Sequence, residues 1–203
     1  TALRRLFRAV RAAGDCRAGI RRAFRHTPAA GADAIVIADM ASGKGEHEGE
    51  AGLALLRQIL QIDASGPIVC AGASQRGLIA RATTELHVPQ SRIVGSAPVA
   101  LESALRALAA LMLDGSGVEV GLRIVGVPPR GAVVAWEEAT AFGQPISSQL
   151  PPHALIALSS RIPGLWPPGP YALASAGARV VEGVVNGARG RFSCFVSLGR
   201  GRV

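Results

Sequence analysis

Two short apolar, β-branched runs, Ala34 to Met40 (AIVIADM) and Ile68 to Cys70 (IVC), alternate with helical patterns, and no other feature constrains the fold as tightly. Runs of this kind suit strands buried on both faces of a sheet. Between them stand a polar loop, ASGKGEHEGE, and a stretch from about Ala51 to Ile62. Leu53, Leu55, Leu56, Ile59 and Leu60 give that stretch one broad apolar helix face. Gly66 and Pro67 punctuate, and Ala71-Gly72-Ala73-Ser74 leads from the second run into a helix through about Leu86. The order strand, helix, strand, helix predicts a parallel sheet with crossover helices. Ligands of such sheets sit outside the carboxyl ends of the strands. Ala38 and Asp39 after the first strand, and Ala71, Gly72 and Ala73 after the second, are therefore candidate ligand-binding residues. A helix start at Ser74 would add free N–H groups suited to an anion.

The second half of the chain has a different texture. Val118 to Val125 sets Val118, Val120, Leu122 and Ile124 against Glu119, Gly121 and Arg123, the period of a half-buried strand. Pro128 and Pro129 cannot sit inside a hydrogen-bonded ladder, so the chain leaves the sheet there. The run Ala132 to Trp136 brings it back. Helices are expected from about Pro98 to Leu113, from Pro152 to Ile162, and from Tyr171 to Asn186, the last entered through Trp166-Pro167-Pro168-Gly169-Pro170 and closed by Gly187. Phe192 to Leu198 (FSCFVSL) alternates as a strand. Glu137 and Glu138 sit at a strand end, where neighbours face opposite ways and cannot form a shared carboxylate pair.

These motifs, taken in order over roughly residues 30–198, resemble the lactate/malate dehydrogenase family. The stretch Gly126 to Ile146 (GVPPRGAVVAWEEATAFGQPI) is similar to its turn Gly-Glu/Gly-His-Gly-Asp, the strand after it and a Gly-x-Pro bend, with Gly143 and Pro145 at the bend. Glu46-His47-Glu48-Gly49-Glu50-Ala51-Gly52-Leu53 resembles its Gln-Gln-Glu-Gly-Glu-Ser-Arg-Leu segment. Arg92-Ile93-Val94-Gly95 resembles its Arg-Val-Ile-Gly turn, and Tyr171 to Glu182 resembles its malate-type Tyr-Ala-x-Ala-x-Ala-x-Ala-Lys-Met-Val-Glu helix. The resemblance implies an α/β fold: a partial Rossmann-type parallel sheet followed by the α+β C-terminal domain of the lactate/malate dehydrogenase fold. It divides the chain into a basic N-terminal helix or arm (1–26), the second half of a nucleotide-binding domain (27–95) and an α+β substrate-type domain (96–203). It also implies NAD as cofactor, with Ala38, Asp39, Ala71, Gly72 and Ala73 beside it, and a homo-oligomer.

The same register removes the family's chemistry. Pro128 takes the place of the proton-carrying histidine, Gly52 that of the arginine that polarises the substrate carbonyl, and Ala73 that of the orienting asparagine. The family's Leu-Asp-Ser-x-Arg falls on Leu101 and Ala104, or one residue later on Glu102 and Leu105, and the arginine is absent either way. No catalytic residue is assigned. A proline has no side-chain proton to exchange near neutral pH. The glycine fingerprint of the first dinucleotide-binding unit has no counterpart at Gly14 and Gly19. Arg106 and Arg130 are the cations that could hold an anionic substrate, with Ser74 as a further anion contact. Arg106 projects roughly 100° or more from the required helix face, so it is expected in solvent.

Composition sorts the remaining roles. The net charge of +8 is concentrated at the ends: residues 1–26 hold eight Arg and one Asp, whereas 27–178 hold nine Lys and Arg against twelve Asp and Glu. Leu3, Leu6, Phe7 and Val10 give the arm an amphipathic pattern, and its charge is suited to phosphate backbones. Arginine supplies nearly all the cations and aromatics make up only 4% of the chain, which argues for a compositional bias over a base-stacking surface. The apolar runs are far shorter than the roughly 20 residues of a membrane span and no signal segment is evident, so a cytoplasmic protein without a membrane partner is expected. Cys16, Cys70 and Cys194 are too widely spaced for a metal site and read as small buried hydrophobes. His47 lies in a solvated loop, and His26, His87 and His153 stand singly, so no metal is expected. Ser42-Gly43-Lys44-Gly45 lacks the residues of a phosphate loop and reads as a turn. Three roles stay open: a divergent dehydrogenase-like binding or scaffolding module, an oxidoreductase with relocated residues, and a nucleic-acid binder acting through the basic arm.

Overall fold

The computed structural model describes residues 32–39, 47–62, 65–113, 119–187 and 190–198. The expected basic helix over 1–26, with Cys16 and His26, and the turn at Ser42 to Gly45 lie outside the described residues. The chain divides into two compact units. The first holds the described residues up to Ala97, those of 169–190, and those from Cys194 onward; the second holds Pro98–Pro168 and Arg191–Ser193.

The first unit is built on the expected parallel sheet. Strands β1 (Ile35–Ile37), β2 (Ile68–Cys70) and β3 (Ile93–Gly95) run parallel in that order, and β9 (Phe195–Val196) adds antiparallel to β3. The register stacks like on like: Ile35 pairs with Ile68 and Ile68 with Ile93, while Val36, Val69 and Val94 form the next row. All three residues of β2 are fully buried, as expected of a strand covered on both faces. Helix α1 (Gly49–Gln61) turns Leu53, Leu56 and Ile59 inward, and α2 (Arg76–Glu85) buries Leu78, Ile79 and Ala82. Helix α5 (Pro170–Val185) packs against β2 through its small residues, with Ala176, Gly177, Val180 and Gly183 buried. Its end follows the expected pattern, with Gly187 at φ +60° just past the cap Asn186.

The second unit is mixed. Helix α3 (Ala97–Met112), apart from its first residue, packs Leu101, Leu105 and Ala109 into a core with Val120, Leu122, Ile124, Ile146, Leu150 and Leu158. Strands β4 (Val120–Gly121), β7 (Thr140–Ala141) and β8 (Gln144–Pro145) form one antiparallel sheet, and β5 (Ile124–Val127) and β6 (Gly131–Val134) form a hairpin. Helix α4 (Pro152–Ser160) completes the unit, with a short 3-10 turn at Ile162–Leu165. Both tryptophans, Trp136 and Trp166, pack on this core.

Several local expectations change. Arg92 to Gly95 is not a turn: its last three residues are β3, shielded by β2 on one side and β9 on the other. The single strand expected over Val118 to Val125 splits between two sheets, yet the alternation of burial persists through Val120, Leu122 and Ile124. Glu137 and Glu138 lie in a 3-10 turn, Trp136–Glu138, and Glu138 pairs with Arg123. Only Phe195 and Val196 of the expected last strand pair with a neighbour. Helix α2 begins at Arg76, so Ser74 sits in the preceding turn and is not the helix start.

The hairpin turn follows the sequence reading, since Pro128, Pro129 and Arg130 connect β5 to β6 outside the ladder. Gly126 has φ +91°, and a Cβ placed on it would run into the carbonyl oxygen of Gly131 on the opposite strand. We expect Gly126→Ala to destabilise the second unit by about 1–3 kcal/mol. The two tryptophans report on that unit, so urea unfolding followed by their fluorescence measures the loss; an unchanged midpoint would contradict this reading of the turn.

Candidate functional site

The loops at the carboxyl ends of β1 and β2 come together as the parallel sheet requires. Ala71 N–H donates to the carbonyl of Ile37 at 2.8 Å, which holds the start of the second loop against the end of β1. Ala38 and Asp39 follow β1, and Ala71, Gly72 and Ala73 follow β2, so these five sequence-expected residues are neighbours in the fold. Gln75, which the sequence reading passed over, links them. It is fully buried at the N-cap position of α2. Its Oε1 accepts from the Gly72 N–H at 3.0 Å, and its Nε2 donates to Asp39 Oδ1 at 2.9 Å. Asp39 Oδ1 also accepts from the His47 N–H at 3.3 Å. A glutamine three residues after a glycine, at the mouth of a helix, is the sequence signal that marks this closure.

Space at this place is as limited as free hydrogen-bonding capacity. A Cβ placed on Gly72 would collide with Asp39 Oδ2 and lie 2.7 Å from Gln75 Cδ. Gly52, where the resemblance places the polarising arginine, is equally enclosed: a Cβ there would lie 2.5 Å from the His47 carbonyl oxygen and 2.9 Å from Leu78 Cδ1. At Gly52 no side chain larger than hydrogen fits without moving backbone. Ser74 is exposed, and Ala73 is half-buried.

The second unit holds the remaining candidates. Pro128 is buried at the hairpin turn and Arg130 is exposed beside it. Arg106 is not the solvated residue expected from helix geometry. Its Nη2 pairs with Glu102, one turn earlier on α3, and donates to the Leu122 carbonyl at 3.3 Å. Glu102 is buried, and its other oxygen accepts from Ser193 Oγ at 2.5 Å. Ser193 Oγ in turn accepts from the Ile124 N–H at 3.2 Å. Removing one partner of such a pair would leave an uncompensated charge, so the pair is held as a unit. The Arg106 charge is thereby spent inside the fold. Sequence spacing carried the signal, because Glu102 and Arg106 stand four apart on one helix.

Among the described residues, no three His, Cys, Asp or Glu side chains stand close enough to hold a metal ion. Nor is any helix among them long and apolar enough to cross a membrane. His87 and His153 are exposed, whereas Cys70 is buried and Cys194 half-buried.

No protein-family model and no curated protein matches the sequence. Solved structures do match. The malate dehydrogenase from Aeropyrum pernix is similar with a TM-score of 0.69 and 14% identity, over 97% of this chain and 68% of that one. The malate dehydrogenase from Plasmodium falciparum in complex with NADH is similar with a TM-score of 0.66 and 16% identity, over 82% of this chain and 59% of that one. The ligand-bound minor L-lactate dehydrogenase from Enterococcus mundtii gives a TM-score of 0.64 and 18% identity, over 83% of this chain and 60% of that one. The chain spans 47% of the same enzyme in its unbound form. It therefore has the α/β fold of the lactate and malate dehydrogenases, as the motif order implies, over 47% to 68% of their length.

Burial of Cys70, reinforced by the Asp39 carboxylate, raises its thiol from the ordinary 9.0 to about 12. Above pH 9 the unfolded chain releases this proton while the folded chain keeps it, so stability falls as pH rises toward 12. Denaturant unfolding across this window should show the fall in the parent and a smaller one in Cys70→Ala. Equal slopes in the two proteins would contradict the assignment.

Proposed function

We propose that this chain is a protein of the lactate/malate dehydrogenase fold that has lost ordinary hydride-transfer activity and serves as a binding or scaffolding module. The observation that carries the reading is Pro128. It stands, buried, at the hairpin turn where the resemblance calls for a histidine that gives and takes the hydroxyl proton. General acid–base catalysis contributes a factor of about 10²–10⁴, and a pyrrolidine ring supplies none of it. Gly52 supports the same conclusion from the first unit, because the carbonyl-polarising arginine has no room for even its first side-chain carbon. Losing that cation removes transition-state stabilisation of a separate kind.

NAD is the cofactor that the fold suggests. Its pyrophosphate needs open N–H donors at a strand end. Asp39 offers a carboxylate there and the Gly72 N–H is already bound by Gln75, so Asp39 and Gly72 do not fit it. Assembly with further copies of the chain belongs to this proposal, supported by Val184 and Val185, which remain 43% exposed at the end of α5.

Arg130 supports a second reading, an oxidoreductase whose anionic substrate is held by a relocated cation. The side chain is exposed at the hairpin turn and makes no hydrogen bond or ion pair among the described residues. Arg106 lends no such support, being paired with Glu102.

Purified protein mixed with NADH and oxaloacetate, pyruvate or another 2-oxoacid should show no consumption of NADH above the protein-free rate. Pro128→His alone should not create activity, because Gly52 stays closed. Clear turnover of any of these acids by the parent would overturn the first reading in favour of the second.

A further inference from the structure

A chain can lose proton transfer and still hold a dinucleotide, so the state of the strand ends is a separate question from catalysis. Open parallel sheets take ligands outside the carboxyl ends of their strands, where loop N–H groups are free to meet an anion. At the ends of β1 and β2 two of these groups are engaged by side chains. The Gly72 N–H is bound by Gln75 Oε1 at 3.0 Å, and the His47 N–H is bound by Asp39 Oδ1 at 3.3 Å. Gln75 uses its own donor on the same carboxylate at 2.9 Å.

Three features make this closure more than an ordinary turn. Gln75 has no exposed surface, so the carboxamide is enclosed and its removal would leave buried polar groups without partners. The Asp39 and Gln75 side chains lie directly over Gly72, since a Cβ placed there would strike Asp39 Oδ2 and approach Gln75 Nε2 to 2.9 Å. The third feature is the sign of the charge: Asp39 presents a carboxylate, which repels an anion through a medium of lowered dielectric.

We propose that Gln75 is a built-in occupant of the crevice between the carboxyl ends of β1 and β2, and that with Asp39 it shuts this place to pyrophosphate-bearing ligands. The inference goes beyond the loss of hydride chemistry and does not depend on it. Its basis is the first unit alone, whereas the principal argument against catalysis is Pro128 in the second.

The test follows the Gly72 amide and the Gln75 side-chain amide by NMR in the full chain, during titration with NADH and, separately, with inorganic pyrophosphate. Neither signal should move at millimolar ligand. In Gln75→Met, which keeps the volume and removes both hydrogen bonds, the Gly72 amide should exchange with solvent at least about tenfold faster. Saturable shifts of both signals in the parent protein would overturn the proposal, and so would unchanged Gly72 exchange in Gln75→Met. Binding of NADH that leaves both signals in place is binding elsewhere and agrees with a closed crevice. The parent titration requires no variant, so a Gln75→Met chain that failed to fold would still leave a decisive result. Turnover of a 2-oxoacid without movement of either signal would count against the loss of activity and leave this closure standing.

Discussion

Strand β2 is three residues long and has no exposed surface at any of them, which is the constraint from which the first unit follows. A strand buried on both faces and paired on both edges requires cover from every direction. Here β1 and β3 supply the edges, and the apolar stripe of α1, the buried side of α2 and the small residues of α5 make up the surrounding apolar packing. Burying each large aliphatic side chain contributes about 1.5–3 kcal/mol, so Ile68, Val69, Ile79 and Ile93 together outweigh any polar contact in the unit. The loops that leave the carboxyl ends of β1 and β2 inherit their position from this packing. They are neighbours because Ile35, Val36 and Ile37 must lie beside Ile68, Val69 and Cys70.

Two clusters of polar side chains near the interior are answered largely from within the chain. Asp39 is matched by Gln75 and a backbone N–H, and Glu102 by Arg106 and Ser193. At the surface Arg81 bridges Glu50 and Glu85, a contact that holds the Glu85 carboxyl below its usual range but is too exposed to carry much stability. In a site poised for chemistry, strongly perturbed groups are left facing a cleft. The two interior clusters have the opposite character. Most of their donors and acceptors are directed at one another, which suits rigidity.

Much of the sheet was legible in the sequence because buried parallel strands write themselves as uninterrupted β-branched runs. Ile68 to Cys70 matches its strand residue for residue, and the helices at 49–61, 97–112 and 170–185 follow from apolar spacing and from Pro170 and Gly187. Strand β3, as short as β2, escaped because the likeness of Arg92 to Gly95 to a turn outweighed its β-branched content, and its second partner β9 lies a hundred residues away. The hairpin turn was readable because proline excludes itself from a ladder. What could not be read was which polar groups meet. Gln75 and Asp39 are 36 residues apart, and Ser193 and Glu102 are 91 apart, so tertiary packing alone pairs them. Arg106 was misjudged for the same reason: its helix angle is fixed locally, but Leu122 and Glu102 decide where its guanidinium rests.

The chain shares the fold of lactate and malate dehydrogenases, and on the proposed reading this frame no longer carries their ligand chemistry. A crystal structure of the chain grown with excess NADH tests that description most directly. The account predicts an intact Gln75 to Asp39 hydrogen bond and no dinucleotide across the ends of β1 and β2. A dinucleotide lying there with the Gln75 side chain swung aside would contradict it.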